Sequence, residues 1–215
     1  MIRILKSNRS IWKLISKIIM INPFFFWKIR KVKSRSTIEQ SLSDNYFLKV
    51  FSSLKCDSIC ELGCGKGDRL FFLQKQNIAK QYLGYDLNTS FVDFGNYYSK
   101  KNDYSVNLKV KNYLDLNEEL NCDFVISSMS LIYLNYNQLS ILLNKIKKFV
   151  KEGFVLQELI TDGNSIKESY YAHNYKELFK QLSFLDDFDI TYEVIDYEPW
   201  KKGRSIGTQI VVIRK

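Results

Sequence analysis

Residues 58–68 have the sequence SICELGCGKGD, a short apolar run followed by three alternating glycines and an acid. Ile59, Cys60 and Leu62 make the first part apolar enough for a buried parallel strand. Glycine adopts positive φ readily, and its missing Cβ lets a ligand approach the backbone closely. The stretch therefore predicts a strand, a tight turn and the start of a helix. Phosphate, nucleotide and S-adenosylmethionine sites all use such a turn.

The strands predicted after this turn also end in polar residues. The segment 81–88, QYLGYDLN, ends its apolar part at Asp86, 19 residues after Gly67. A carboxylate in that place can accept hydrogen bonds from both hydroxyls of an adenosine ribose. Further strands are predicted near 105–110 and 123–128. Because the carboxyl ends of parallel strands meet at one edge of a sheet, the sequence predicts a binding site at that edge.

At this point the sequence resembles the class I S-adenosylmethionine-dependent methyltransferases. The matching pieces are ELGCGKG (61–67), YLGYDLN (82–88), the region of Asn112, and CDFVISSMSLIYL (122–134). The resemblance implies an α/β fold with a doubly wound, Rossmann-like sheet of about seven strands, the last one antiparallel. It also implies S-adenosyl-L-methionine as the cofactor. The predicted strands 188–196 and 208–213 agree, since a nicotinamide-binding Rossmann domain does not end in such a hairpin.

The resemblance further implies a set of cofactor contacts. Glu61 would lie near the methionine end, Asp86 would take the ribose hydroxyls, and Leu87 would pack on the adenine. Asn112 would meet the amino edge of the adenine, in a place where an Asp is commoner. The predicted cofactor-binding residues are Glu61, Gly63, Cys64, Gly65, Gly67, Asp86, Leu87, Asn112, Tyr113, Ser127 and Ser128.

Three residues are candidates for the general base that a hydroxyl acceptor would need. His173, the only histidine, comes first, followed by Tyr133 and Glu158. A structural role is the alternative for His173, and a carbon or carboxylate acceptor would need no base. The loop 129–134 after the fourth strand is apolar, and 127–130 lack the Pro-Pro-aromatic sequence of DNA amino-methyltransferases. These features favour a small-molecule or glycan acceptor, with a lipid-linked or surface-polysaccharide sugar as one example, and the expected acceptor atom is oxygen.

Positive charge is concentrated at the start of the chain. The net charge is +9, yet residues 1–36 contain ten Lys or Arg and no acid, while the remaining 179 residues hold 22 basic and 23 acidic side chains. We therefore predict a basic amphipathic arm, 1–36, and a methyltransferase domain, 37–215. A nucleic-acid enzyme would more often carry a basic face on the domain itself, so nucleic acid is not the expected partner.

Three roles are open for the arm. Apolar residues at helical spacing, followed by aromatic and basic residues, are typical of a peripheral membrane anchor. The same apolar face would also suit packing on the domain or on a second copy, and a targeting leader is the third role. The longest uncharged run within the arm, 18–27, is ten residues and too short to span a bilayer.

Two other functions compete with the small-molecule or glycan enzyme. One is an RNA methyltransferase that uses the arm as a basic handle. The other is a non-catalytic interaction module that keeps the family's fold. The four cysteines, at 56, 60, 64 and 122, run through a strand and a tight turn, a spacing that does not suit a zinc site, so no metal is expected. Free thiols indicate the cytosol, and the inner face of the membrane if the arm binds lipid.

Overall fold

The computed structural model describes residues 38, 40–161, 165–166, 170–195, 201–202 and 205–215, with backbone alone at 165–166, 201–202 and 205–206. The strands are β1 (Ser58–Leu62), β2 (Gln81–Asp86), β3 (Val106–Val110), β4 (Phe124–Ser128), β5 (Gly153–Ile160), β6 (Ser165–Ile166), β7 (Tyr171–Ala172), β8 (Phe188–Val194), β9 (Lys201–Lys202) and β10 (Ser205–Arg214). The α-helices are α1 (Asp44–Phe51), α2 (Asp68–Lys75), α3 (Thr89–Lys101), α4 (Tyr136–Phe149), α5 (Tyr175–Gln181) and α6 (Phe184–Asp187). Three short 3₁₀ turns cover Tyr113–Asp115, Glu118–Leu120 and Leu131–Tyr133.

The main sheet has the strand order β3-β2-β1-β4-β5-β10-β8, with β9 paired to β10 at one end. Strands β1 to β5 are parallel. Strand β10 runs antiparallel to both of its long neighbours. The short strands β6 and β7 form a separate antiparallel pair. This architecture confirms the predicted Rossmann-like sheet with an antiparallel last strand.

Both faces of the sheet are covered by apolar side chains. Along β1, Cys60 and Leu62 point into one core together with residues of α4 and α5. Ile59 points to the other face, into the core that includes residues of α1 and α2. Phe154 anchors the first core, with its ring 5.6 Å from that of Phe184. Because both faces of the sheet are covered, a ligand-binding site is expected at the carboxyl ends of the strands.

Helix α1 is shorter than the predicted helix at 37–55. The Asp44 side chain accepts the N–H of Ser41 at 2.8 Å and fixes a turn before the helix. At the other end, the hydroxyls of Ser52 and Ser53 each donate to a backbone carbonyl of the last turn at 2.9 Å. Short polar side chains that bond to the nearby backbone end helices, which explains the difference.

Side-chain amides fasten α1 to the sheet. Gln157 Nε2 donates to the carbonyl of Ser43 at 2.8 Å, and Gln209 Nε2 donates to the carbonyl of Tyr46 at 3.1 Å. Gln157 also donates to Gln209 Oε1 at 3.1 Å, and both amides are buried. We call Gln157 and Gln209 the amide pair. It links the first described helix to β5 and to the last strand.

The predicted arm, 1–36, lies outside the described residues, so its membrane, packing and dimer roles stay predictions. Residue 196 of the predicted strand 188–196, and residues 199–200 and 203–204 of the turn predicted around 199–207, also lie outside them. Within the part of the chain that the structure describes, no helix has the length and apolar character needed to cross a membrane.

Candidate active site

A cavity of ≈ 280 Å³ lies at the carboxyl edge of the sheet. It sits beside the junction of β1 and β4, where the strand order reverses, the usual ligand position in such sheets. The residues that line it are Gly63, Gly65, Asp86, Leu87, Phe91, Tyr113, Ser128, Met129, Ser130 and Tyr133.

The glycine turn forms the floor of this cavity. Gly63, Gly65 and Gly67 have φ of 70°, 56° and 82°, in the left-handed region that favours glycine. A Cβ on Gly63 would lie 2.0 Å from the Ser130 hydroxyl, whereas one on Gly65 would meet only the Phe91 ring, at 4.0 Å. The turn therefore needs glycine at Gly65 for its conformation, and the backbone there faces open space.

Asp86 joins the glycine turn to the start of α3. Its Oδ2 accepts the N–H of Gly65 at 2.8 Å, and its Oδ1 accepts the N–H of Asn88 at 2.8 Å. Asn88 in turn caps α3 by accepting the N–H of Phe91 at 3.0 Å. Burial raises the pKa of Asp86, and the backbone N–H groups of Asn88, Gly65 and Leu87 oppose that rise. Each carboxylate oxygen keeps a further lone pair for a ligand.

The turn after β3 brings Tyr113 to the cavity. Asn112 caps this turn, since its side-chain oxygen accepts the N–H of Leu114 at 3.0 Å. The Tyr113 hydroxyl donates to the Ser130 carbonyl at 3.2 Å, and burial raises its pKa. Asn112 is not among the described residues that line the cavity, so its predicted contact with adenine stays a prediction.

The two serines at the end of β4 face different ways. Ser128 lines the cavity, and its hydroxyl donates to Gln157 at 3.2 Å. Ser127 is buried and donates to the Leu62 carbonyl at 3.2 Å, which ties β4 to β1. Cys64 is also buried, against Gly84, and burial raises its thiol pKa well above the ordinary value. Ser127 and Cys64 thus hold the sheet and the turn together.

One wall of the cavity continues into an apolar surface. Met129 has φ of 53°, a conformation that residues other than glycine rarely adopt and that recurs at functional sites. Its side chain packs with Tyr46 and Tyr170 around the buried residues Leu159 and Ile195. The wall therefore presents aromatic rings and a flexible thioether beside the glycine turn.

Tyr133 is the one predicted general base that lines the cavity within the described chain. Glu158 is buried on β5, its Oε1 accepts the N–H of Leu131 at 3.2 Å, and burial raises its pKa to about 8. His173 is 2% exposed, and its Nε2 lies 3.0 Å from the Leu134 carbonyl. Since a carbonyl only accepts, Nε2 carries the proton, and burial lowers the His173 pKa. The geometry gives both residues contacts with the loop that carries Tyr133.

Glu61 lies beside the glycine turn and is paired with a residue that sequence analysis did not single out. Arg69 Nη1 donates to Glu61 Oε1 at 2.5 Å. Burial raises the pKa of Glu61 to about 7, although the charge of Arg69 opposes that rise. The available signal in the sequence was a cation two residues after Gly67 and eight residues after the acid Glu61.

Phe91 lines the cavity and was also missed, whereas Met129 and Ser130 belong to the loop 129–134 from which the acceptor class was predicted. Phe91 stands in the first turn of α3, three residues after its Asn88 cap, so the cap offered a signal for it. The left-handed conformation of Met129, directly after β4, places Met129 and Ser130 in the cavity wall. No local sequence motif predicts that conformation.

Comparison with known proteins supports the architecture. Residues 59–153 match a family model described as a methyltransferase domain. Magnesium protoporphyrin IX methyltransferase (ChlM) from Synechocystis PCC 6803, solved with bound SAM, has a TM-score of 0.62 at 13% identity, over 94% of this chain and 96% of that chain. The plantazolicin methyltransferase BpumL, in complex with a pentazolic desmethylPZN analog and SAH, gives 0.63 at 14%, over 98% and 93%.

A third similar structure is phosphoethanolamine N-methyltransferase 2 from Haemonchus contortus, in complex with phosphomonomethylethanolamine and S-adenosylhomocysteine. Its TM-score is 0.64 at 14% identity, over 80% of this chain and 52% of that chain. No curated protein matches the sequence as a relative. These structural likenesses confirm the predicted fold.

Proposed function

We propose that this chain, whose residues 59–153 match a methyltransferase-domain family model, transfers the methyl group of S-adenosylmethionine to an oxygen atom of a small-molecule or glycan acceptor. The observation that supports this most is the cavity at the carboxyl edge of the sheet. There the glycine turn and Asp86 share one space with Met129, Ser130 and Tyr133.

The residues on the first side of the cavity fit the cofactor. Gly65 leaves open space beside its backbone, and Asp86 can accept two ribose hydroxyls while it still holds the turn. Leu87 and Phe91 offer apolar surface to the adenine. When bound, S-adenosylmethionine supplies a methyl group already activated by its sulfonium sulfur.

The residues on the other side favour a small or sugar-like acceptor. Met129 and Tyr133 line the cavity, and Tyr46 and Tyr170 extend the apolar surface behind Met129. Aromatic rings pack well on the C–H faces of sugar rings and of other small cyclic molecules. The near-neutral charge of residues 37–215 agrees with an uncharged acceptor, whereas a nucleic acid would favour a basic surface.

The work left to the protein is positioning. Holding an acceptor oxygen about 3 Å from the methyl carbon contributes several kcal/mol to the rate. We assign the Tyr133 hydroxyl to the acceptor hydroxyl as its hydrogen-bond partner, and the proton that the acceptor loses on methylation passes by way of this partly exposed hydroxyl to solvent. Glu158 and His173 hold the backbone of the Tyr133 loop through Leu131 and Leu134. Tyr133→Phe should therefore lower kcat more than it changes the affinity for the cofactor.

For residues 1–36 we propose contact with an anionic membrane, which would place the enzyme at the inner face beside lipid-linked or surface-polysaccharide sugars. Ten basic side chains without an acid support this, at roughly 1 kcal/mol for each Lys or Arg near the lipid surface. Co-sedimentation with phosphatidylserine vesicles should be lost when the five basic residues of 28–35 become Gln in the full chain. Salt-sensitive binding of RNA, lost in that variant while vesicle binding is unchanged, would favour the RNA alternative.

The first test is calorimetric titration of the full chain with S-adenosylmethionine, S-adenosylhomocysteine and NADH. We expect micromolar binding of the first two, followed by transfer of labelled methyl to a member of a panel of glycans and small hydroxyl compounds. Binding of NADH alone would overturn the proposal. Binding of S-adenosylhomocysteine without transfer to any acceptor in the panel would favour the non-catalytic alternative.

A further inference from the structure

Backbone carbonyls fix the orientation of both side chains in the amide pair. Gln209 Nε2 lies 3.1 Å from the Tyr46 carbonyl, and Gln157 Nε2 lies 2.8 Å from the Ser43 carbonyl. Because a carbonyl only accepts, the nitrogen of each amide must face its carbonyl, and neither amide can be turned round. The other hydrogen of Gln157 Nε2 is used by Gln209 Oε1, at 3.1 Å. The only group that Gln157 still offers is therefore its oxygen.

The amide pair in turn fixes the proton of the Ser128 hydroxyl. Ser128 Oγ lies 3.2 Å from Gln157 Oε1, which carries no hydrogen, so the serine must be the donor. Turning the hydroxyl toward a ligand would leave the buried Gln157 oxygen unpaired, which is costly. Ser128 is half-buried and lines the cavity. It therefore presents lone pairs, and no donor, to a ligand in the cavity.

A second pair of hydroxyls in the cavity uses its protons in the same way. The Tyr113 hydroxyl donates to the Ser130 carbonyl at 3.2 Å, so the Ser130 hydroxyl is the donor in its own 3.4 Å contact with the Tyr113 oxygen. Both residues line the cavity, as does the Asp86 carboxylate. A wall of hydrogen-bond acceptors suits a ligand that brings O–H donors, whereas ether, carbonyl and carboxylate oxygens would find no partner on these groups.

Ser128 is tied to the part of the wall that we assign to the methyl acceptor. The backbone carbonyl of Gln157 accepts the N–H of Met129 at 2.9 Å, while its side chain holds the Ser128 hydroxyl. Met129 packs with Tyr46 and Tyr170 in the apolar wall, and the Tyr46 carbonyl holds the far end of the amide pair. The fixed oxygen of Ser128 and the apolar wall are thus built from the same contacts.

We propose that Ser128 recognises a second hydroxyl group of the methyl acceptor, next to the hydroxyl that is methylated. The reacting hydroxyl contacts Tyr133, as assigned above, and the neighbouring hydroxyl donates to Ser128 Oγ. The methyl acceptor is then a vicinal diol on a ring, as in a sugar or another cyclic polyol, and a compound with an isolated hydroxyl binds less well. This inference rests on the proposed function, because it narrows the class of methyl acceptor.

Two other roles for the Ser128 oxygen lead to different results. If it accepts a hydrogen bond from the ammonium group of the cofactor, its removal weakens binding of S-adenosylhomocysteine. If the serine only joins β4 to β5 through Gln157, its removal affects all ligands equally. Recognition of a second hydroxyl predicts a loss for ligands that carry that hydroxyl and for no others.

The experiment compares cis-1,2-cyclohexanediol with cyclohexanol, which has the same ring and one hydroxyl fewer. Both are titrated by ligand-observed NMR into the full-length protein saturated with S-adenosylhomocysteine. The wild type should bind the diol about three- to tenfold more tightly, the range for one net hydrogen bond between neutral groups. In Ser128→Ala this preference should fall to about twofold or less, while the affinities for cyclohexanol and S-adenosylhomocysteine stay within about twofold of the wild type.

Two further variants and one control complete the test. Ser128→Cys keeps the shape of the side chain, but its sulfur is a weak hydrogen-bond acceptor, so the preference should be lost as in Ser128→Ala. Ser128→Thr keeps a hydroxyl that can donate to Gln157, so the preference should be retained even if its methyl group weakens both ring compounds. Ser140→Ala removes a hydroxyl that donates to the Tyr136 carbonyl within α4 and should leave every affinity unchanged.

The outcomes separate the inference from the proposed function. Equal weakening of both ring compounds in Ser128→Ala, an unchanged preference for the diol, or no preference in the wild type overturns the inference and leaves the proposed function intact. Weaker binding of S-adenosylhomocysteine with an unchanged preference overturns it as well and assigns the Ser128 oxygen to the cofactor. A wild type that binds no S-adenosylhomocysteine overturns the proposed function itself. If Ser128→Ala does not fold, Ser128→Cys decides, and a retained preference in that variant overturns the inference.

Discussion

Replacing Asp86 by alanine should weaken cofactor binding while the protein remains folded. The carboxylate holds two backbone N–H groups, those of Gly65 and Asn88, each at 2.8 Å. It also lines the cavity, so a bound ribose would share the same two oxygens. Alanine removes the acceptors for the ribose and loosens the glycine turn from α3 at the same time.

The magnitude follows from the charge on the acceptor. A hydrogen bond to a charged group contributes about 1.5–3 kcal/mol. Since 1.4 kcal/mol corresponds to a factor of ten, the dissociation constant for S-adenosylhomocysteine should rise about ten- to a hundredfold. The two N–H groups released in Asp86→Ala lie beside the cavity, where water can reach them, so stability should fall by only about 1 kcal/mol.

Calorimetric titration with S-adenosylhomocysteine and a thermal unfolding curve of the free protein measure the two effects separately. Asp93→Ala is the matched control, because it removes an equal charge from the exposed side of α3. Wild-type affinity in Asp86→Ala would refute the assignment of the cavity. A loss of affinity of similar size in Asp93→Ala would show that net charge, and not the Asp86 contacts, controls binding.

Three further predictions test the turn, the core and a buried acid. Gly65→Leu should abolish cofactor binding in titration without unfolding the protein, because the side chain would project into the cavity; methyl transfer by this variant would show that the cofactor lies elsewhere. Phe154→Ala should lower the free energy of unfolding, measured in urea, by about 3–5 kcal/mol. The Phe154 ring lies 5.6, 6.0 and 6.3 Å from the rings of three other phenylalanines, and a loss below about 1 kcal/mol would contradict that packing. Burial raises the folded pKa of Glu158 from 4.5 to about 8, so the folded state binds the extra proton and wild-type stability falls as pH rises through that interval. Glu158→Gln should therefore gain stability relative to wild type from about pH 5 to about pH 8 in urea titrations, and a difference independent of pH would contradict the raised pKa of Glu158.

Much of the fold could be predicted from sequence, because its signals are local. The apolar run at Ile59 and the three glycines predict β1, the turn and α2 within one stretch. The length of α1 could not be predicted from apolar spacing, because serine and aspartate side chains at its two ends bond to the backbone and stop it. Short polar side chains end a helix only where the fold lets them hydrogen-bond to nearby backbone groups, and apolar spacing does not show where that happens.

The site residues that could be predicted from the sequence are those that lie at or just after the carboxyl ends of the strands. Gly65, Asp86 and Ser128 line the cavity as the motifs suggested. Adjacent residues of a strand point to opposite sides, and the motif does not say which of Ser127 and Ser128 faces the ligand. His173 is buried by a bridge between its backbone and Ile160 of β5, a non-local contact that local pattern cannot reveal. The same limit applies to the ion pair that Arg69 Nε forms with Asp44 Oδ1 at 2.9 Å.

The amide pair has a consequence for the order in which the newly made chain can fold. Gln157 bonds to a residue 114 positions earlier, and Gln209 to one 163 positions earlier, so both contacts close very long loops. At a synthesis rate of about 5–20 residues per second, Tyr46 of α1 is synthesised roughly 8–33 s before Gln209. Of the described elements, helix α1 is thus synthesised first and is one of the last to make all of its contacts with the sheet, so the arrangement that places Asp44 beside Arg69 is complete only when β10 has formed.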